Sequence, residues 1–262
     1  IPFPATWLGD DDVEQKEQES LKALTRILET QGSDTCAMIL EPLVQGAGGM
    51  RMCRPEFLRA LVETLRAAGV LVIFDEVMTG FGRTGELFAC IKASVTPDLI
   101  CLSKGLTGGF LPLSATVCSD ELYTAFLDDS FDKAFAHGHS FAANPLGCAA
   151  AIAAQDLLTA PETQTRIAAI SAVHQERLSR LAAFEPLEHA RQTGTIAAID
   201  VKAADSGYSA NVGPKLKTYF LEQGLLIRPL GNVMYVLPPY CIGDDDLHRA
   251  YDAIETAAKT IL

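Results

Sequence analysis

Apolar residues recur along this chain in two alternating rhythms. Leu21, Leu24, Ile27 and Leu28 fall at helical spacing, which predicts an amphipathic helix over residues 13–31 closed by Gly32. A compact run, Cys36-Ala37-Met38-Ile39-Leu40, follows and ends in Glu41-Pro42. Phe57, Leu58, Leu61, Val62 and Leu65 then share one face of a second predicted helix, residues 55–68. Val70-Leu71-Val72-Ile73-Phe74 is apolar without alternation and ends in Asp75-Glu76, and Leu99-Ile100-Cys101-Leu102 leads into Ser103-Lys104. Continuous apolar runs separated by helices predict strands buried on both faces of a parallel sheet. Residues 112–117 are expected to add another strand.

Beyond residue 144 the pattern changes. Residues 144–158 and 162–183 read as two helices, with Thr159 and Glu162 spaced as a capping box. Strand-like pieces follow near 195–201, 225–228 and 232–237, with a helix at 212–223 among them. The last helix opens with Asp244-Asp245-Asp246, whose charge suits a helix N-terminus, and Leu247, Tyr251, Ile254, Ala258 and Ile261 form its expected buried stripe. The expected fold class is therefore α/β: a mostly parallel sheet flanked by helices over residues 1–155, beside a smaller C-terminal α+β domain over residues 156–262.

Composition narrows the field. A hydrophobic share of 48% and a charged share of 21% are those of a soluble globular chain. A net charge of -12 argues against nucleic acid and anionic membrane as partners, since a uniformly acidic face repels both. No apolar run is long enough to span a bilayer. The 7 cysteines include no C-x-x-C pair and lie in apolar stretches, so they read as reduced core residues of a cytoplasmic protein. No Cys/His cluster has zinc-ligand spacing, and no metal is expected. The chain starts at Ile1 without the basic start or apolar core of a signal peptide, and an upstream portion is expected to be missing.

In open parallel sheets, ligands sit beyond the carboxyl ends of the strands. Three predicted strands end at Glu41, Asp75 and Lys104, so two acids and a lysine should converge on one crevice. A lysine amine forms a Schiff base with an aldehyde cofactor, and a carboxylate facing a pyridine nitrogen keeps that nitrogen protonated. Lys104 and Asp75 can fill those two roles. A lysine alone is more often a solvated amine, and an aspartate at a strand end is as readily a helix cap. Lys104, however, stands between a buried strand and Gly105-Leu106-Thr107-Gly108-Gly109, an unusual setting for a solvated amine.

Gly80-Phe81-Gly82-Arg83-Thr84-Gly85 is not a nucleotide loop: no G-K-[ST] is present and no dinucleotide-type turn precedes it. It brings Arg83 toward the crevice, unless Arg83 is a surface residue. His137 and His139 lack a third ligand and suit structural or hydrogen-bonding roles. Ser140 offers a hydroxyl near a helix start, a natural phosphate contact. Arg228, in Ile227-Arg228-Pro229, is either a carboxylate clamp or an arginine paired inside the small domain.

Glu41-Pro42, then Asp75-Glu76-Val77-Met78-Thr79-Gly80-Phe81-Gly82-Arg83-Thr84-Gly85, then Ser103-Lys104-Gly105, in that order, resemble class III aminotransferases of pyridoxal-phosphate (PLP) fold type I. Three further stretches are similar to the branch that acts on S-adenosylmethionine and 8-amino-7-oxononanoate in biotin synthesis. They are Gln45-Gly46-Ala47-Gly48-Gly49-Met50-Arg51-Met52, Leu106-Thr107-Gly108-Gly109, and Arg228-Pro229-Leu230-Gly231-Asn232 followed by Leu237-Pro238-Pro239-Tyr240.

The resemblance implies pyridoxal 5'-phosphate as cofactor, with Lys104 as Schiff-base lysine and proton shuttle and Asp75 as the pyridinium partner. It implies that Ser140 reaches the cofactor phosphate across a homodimer interface, that Arg228 holds the carboxylate of 8-amino-7-oxononanoate, and that Gly138, Glu41 and Arg83 belong to the substrate pocket. The implied product is 7,8-diaminononanoate. The family's N-terminal portion, with its Gly-Ser phosphate loop and an aromatic residue over the cofactor ring, has no counterpart here, and His139 departs from the residue usual before the hydroxyl. Other readings stay open: another class III ω-amino acid aminotransferase or aminomutase, or a non-catalytic fragment that keeps the fold. Lysine remains conceivable as the amino donor.

Overall fold

Helix α1 (Val13–Gln31) leads to strand β1 (Ala37–Leu40), a short hairpin of β2 (Val44–Gln45) and β3 (Arg51–Met52), helix α2 (Pro55–Ala67) and strand β4 (Leu71–Asp75). A short helix α3 (Ala89–Ala93), strands β5 (Leu99–Leu102) and β6 (Ala115–Cys118) and a short helix α4 (Asp120–Thr124) complete the first half. The structure, a computed structural model, describes residues 1–202 and 210–261. The main sheet has the order β1-β4-β5-β6; β1, β4 and β5 are parallel, and β6 runs antiparallel to β5. The apolar runs thus form the parallel strands they predicted, but not buried on both faces: β5 is half-buried throughout and Ile39 of β1 is 62% exposed. The extra strand expected at 112–117 is an antiparallel edge.

Local chemistry accounts for these elements. Pro55 opens α2, where its missing N–H costs nothing, and the whole predicted face of Phe57, Leu58, Leu61, Val62 and Leu65 is buried. Val72 and Phe74 of β4 are fully buried in the same core. Each such side chain contributes about 1.5–3 kcal/mol of burial. Gly32 does not close α1 in the left-handed region; at φ -58 it continues into a 3-10 turn, Gly32–Asp34.

The second half contains α5 (Pro145–Thr159), α6 (Pro161–Leu181), β7 (Leu187–Thr193), β8 (Ile196–Val201), α7 (Val212–Glu222), β9 (Val233–Val236) and α8 (Asp244–Thr260). Helix α5 crosses residue 155 without a break. The three strands form an antiparallel sheet, β7-β8-β9. Alternation along β8 joins the halves: Ile196 and Ala198 enter the core of the large sheet, while Ala197, Ile199 and Val201 pack with Ile170, Leu178, Phe220 and Tyr251 of the helices.

Several expectations are corrected. Residues 225–228 form no strand; Leu226 is 89% exposed, and only Leu230 bridges to Val233. Thr159 and Glu162 form no capping box, because Thr159 still belongs to α5 and its hydroxyl donates to the Gln155 carbonyl at 2.9 Å. The N-cap of α6 is Ala160, which has no side-chain oxygen, and Pro161 starts the helix. Ile261 falls at the C-cap of α8 and is exposed. The cysteines are not uniformly core residues: all are free thiols, only Cys53 is buried, and Cys36, Cys118 and Cys241 are exposed. Among the described residues no helix is long and apolar enough to cross a membrane.

Candidate active site

Glu41, Asp75 and Lys104 stand at the carboxyl ends of three neighbouring parallel strands. Asp75 is in register with Cys101, and Lys104 lies three residues further along the β5 chain. With strands about 4.8 Å apart and three residues of chain reaching at most about 11 Å, the two α-carbons lie within about 15 Å of each other. The Glu41 carboxyl responds to both neighbours. Burial pushes its pKa up; the Gly46 N–H, donating at 3.2 Å, pulls it down, the Asp75 charge pushes it up and the Lys104 charge pulls it down. All three groups therefore share one electrostatic neighbourhood.

Asp75 is half-buried, and its Oδ1 accepts from the Val77 N–H at 3.0 Å. Its other oxygen has no hydrogen-bond partner among the described residues. Lys104 is exposed and begins a 3-10 turn, Lys104–Thr107, with φ +36. A non-glycine residue held there costs on the order of 1–3 kcal/mol, strain of the kind that gathers at functional sites. The following residue has to be glycine, since a Cβ on Gly105 would lie 2.8 Å from the Phe81 side chain. An amine, a carboxylate with a free oxygen and a second, partly buried carboxylate form a donor set that fits a pyridine aldehyde.

The acid beside Asp75 turns the other way. Glu76 is fully buried, and its carboxylate accepts from Ala89 N–H at 2.7 Å, Cys90 N–H at 2.8 Å and the Thr79 hydroxyl at 3.3 Å. Burial raises its pKa, and these donors work against that rise. Sequence reasoning passed over Glu76 as a structural anchor.

Arg83 is not a loose surface arginine. Its guanidinium donates to the Pro238 carbonyl at 2.6 Å and lies 4.6 Å from the centre of the Tyr240 ring, whose hydroxyl donates to the Phe81 carbonyl at 2.7 Å. Thr195 donates to the Arg83 carbonyl from its N–H at 2.9 Å and its hydroxyl at 3.3 Å. Arg228 is exposed and makes no hydrogen bond or ion pair among the described residues, so the alternative of an arginine paired inside the small domain is not what the structure holds. Gly138 and Ser140 lie on an exposed stretch and make no hydrogen bond to the trio. The start of α5 is capped by Asn144, whose Oδ1 accepts from Gly147 N–H at 2.7 Å, and His139 Nδ1 accepts from Phe141 N–H at 3.2 Å.

The profile of the family Aminotransferase class-III matches residues 2–258. Curated relatives named adenosylmethionine-8-amino-7-oxononanoate aminotransferase include that of Synechococcus elongatus, 50% identical over 254 residues, which covers 97% of this chain and 59% of the relative. That of Geobacter sulfurreducens is 36% identical over 260 residues, covering 97% of this chain and 57% of the relative. The chain thus spans somewhat less than three-fifths of the length of these relatives, 59% and 57%. Among solved structures, an (S)-enantioselective omega-transaminase from Thermomicrobium roseum superposes with a TM-score of 0.88 at 30% identity, over 99% of this chain and 59% of that one. A PLP-bound amine transaminase from an uncultivated Pseudomonas species gives 0.88 at 29% identity, over 99% of this chain and 60% of that one. With residues 2–258 matched by the family's profile, the chain belongs to the class-III aminotransferases.

Proposed function

We propose that this protein is a PLP-dependent aminotransferase of biotin synthesis, moving the amino group of S-adenosylmethionine to the keto carbon of 8-amino-7-oxononanoate to give 7,8-diaminononanoate. The observation that carries the reading is the convergence of Glu41, Asp75 and Lys104 at adjacent strand ends. The 50% identity to a relative of that name supports the choice of substrates. When bound, the cofactor supplies an aldehyde that takes up an amino group and a ring that stores an electron pair.

The chain's own residues do the rest. Lys104 binds the aldehyde through its amine and carries a proton to and from the carbon bearing the amino group. Asp75 holds a proton on the ring nitrogen with its unengaged carboxylate oxygen, while Val77 N–H fixes the other. Glu41, its pKa raised by burial, adjusts the charge of the pocket beside them. Arg228 grips the carboxylate of 8-amino-7-oxononanoate with two parallel hydrogen bonds, and its unpaired guanidinium supports that role. Arg83 adds positive charge to the pocket wall. Ser140 and Gly138 act from the partner protomer of a cytoplasmic homodimer, a reading supported by exposed Phe131, Phe135 and Phe141 around them. The large domain covers residues 1–155 and the small domain residues 156–262.

The test is incubation of the full chain with PLP, S-adenosylmethionine and 8-amino-7-oxononanoate. Diaminononanoate and the visible absorption band of lysine-bound cofactor should both form, and both should vanish in Lys104→Ala. The band without diaminononanoate retires the substrate pair; no band in the wild type retires the whole reading.

A further inference from the structure

A lysine that the chemistry above does not use clasps the two halves of the molecule. Lys92, on α3, is half-buried between the loop that carries Arg83 and the turn joining β7 to β8. Its ammonium donates to the Thr84 carbonyl at 2.7 Å and to the Thr193 hydroxyl at 2.6 Å. Beside it, Thr195 donates twice to the Arg83 carbonyl, and Gly194 packs directly on the backbone of Arg83, Thr84 and Gly85. Burial depresses the pKa of Lys92, with the charge of Glu86 opposing that shift. The ammonium therefore has neither full solvation nor a direct ion pair, and its donors go to the two segments it joins.

The turn held by Lys92 leads toward Arg228 through a ladder that ends at Leu230. Strand β8 pairs with β9 from Ala197–Val236 to Asp200–Val233, and Leu230 N–H donates to the Val233 carbonyl at 2.9 Å. Arg228 lies two residues before Leu230. The β8–β9 pairing therefore fixes Leu230, the anchor from which the Arg228 segment departs, relative to the 193–195 turn.

We propose that Lys92 is a positioning residue for the reaction: with Thr193 it locks the small sheet against the Arg83 loop and sets where Arg228 meets the substrate carboxylate. Lys92 touches neither substrate nor cofactor. The inference rests on the reading of Arg228 as the group that holds the carboxylate of 8-amino-7-oxononanoate.

The test uses Lys92→Met, Thr193→Val and the double variant in the full chain loaded with PLP. It measures kcat, KM for 8-amino-7-oxononanoate and the absorption band of lysine-bound cofactor. Losing a donor bond from a charged group raises KM for this substrate by about tenfold in Lys92→Met, while kcat and the band stay within about twofold of wild type. Thr193→Val raises KM in the same direction, and the double variant is no worse than Lys92→Met, because a single clasp has been removed. An unchanged KM, a loss confined to kcat or to the cofactor band, or additive effects in the double variant would overturn the proposal. If Lys92→Met fails to fold, the KM of Thr193→Val decides alone. A wild type that makes no diaminononanoate removes the functional reading and this inference together; an active wild type matched by Lys92→Met removes the inference only.

Discussion

His174 and Tyr251, 77 residues apart, meet in the core between the β7-β8-β9 sheet and its helices, where the Tyr251 hydroxyl lies 2.6 Å from His174 Nδ1. The other ring nitrogen, Nε2, faces the Thr195 carbonyl at 3.1 Å. A carbonyl can only accept, so Nε2 carries the proton, Nδ1 accepts, and Tyr251 donates. Thr195 then donates to Arg83. Four residues thus link α8 and α6 to the loop beside the candidate site, and the link requires a neutral imidazole.

That requirement makes stability depend on pH. Burial holds His174 down at about 4, against an ordinary value of 6.5. Between those values the unfolded chain binds a proton that the folded chain does not, so stability falls as pH drops through this window and levels off below it. The expected loss from this group between pH 7 and pH 5 is about 2 kcal/mol. Urea unfolding of wild type and His174→Gln at both pH values should show that extra loss in the wild type only. Equal pH slopes in the two proteins would exclude His174 as the source.

Glu76 offers a second stability test, away from the cofactor chemistry. Its carboxylate satisfies the first free N–H groups of α3 from a strand end 13 residues earlier. In Glu76→Gln the amide loses one acceptor and turns an N–H₂ group toward those donors or toward Thr79. The expected cost is about 2–4 kcal/mol, seen as a lower urea midpoint. A loss smaller than about 0.5 kcal/mol would mean that these bonds contribute no more than ordinary surface contacts.

The roles of the two neighbouring acids explain what the sequence could and could not convey. Asp75 was legible because an unbroken apolar run ends in it, and the same logic exposed Glu41 and Lys104. Glu76 was not, because its partners are backbone N–H groups, which look the same in every sequence. Strand β7 was hidden for a related reason: Glu188, His189, Arg191 and Gln192 break its apolar alternation. The charges are absorbed inside the fold, where Arg191 donates to the carbonyls of Gly49, Met50 and His189 and to Asp200. Conversely, Leu225, Leu226 and Ile227 read as a strand from their apolarity, yet no neighbouring strand pairs with them among the described residues. Pairing is a tertiary fact that a local run does not encode.

The site itself yields a paired prediction. Arg228→Ala should raise KM for 8-amino-7-oxononanoate by about a hundredfold while sparing the cofactor band, and Arg228→Lys should recover little, since an ammonium lacks the two-pronged geometry. Asp75→Asn keeps an oxygen for the Val77 N–H and so should fold normally, with kcat lowered at least about a hundredfold. Steady-state kinetics on the two variants should therefore move different parameters. The same parameter moving in both would break the assignment of separate roles.

The junction between the halves can be probed without touching a polar group. Gly194, at φ +55, turns β7 into β8 and leaves no room for a side chain: a Cβ would overlap the Gly85 nitrogen and the Thr84 carbonyl carbon and lie 2.6 Å from the Arg83 oxygen. These are backbone atoms and cannot rotate aside, so alanine must push the turn off the loop. Gly109, at φ +80, has nothing within 4 Å of the place a Cβ would occupy and isolates the left-handed strain alone. Gly109→Ala should cost about 1 kcal/mol, and Gly194→Ala about 3 kcal/mol or more because overlap adds to strain. Urea midpoints of the two variants measure the difference, and equal losses would show that the close approach of Gly194 to Gly85 contributes nothing to the union of the two sheets.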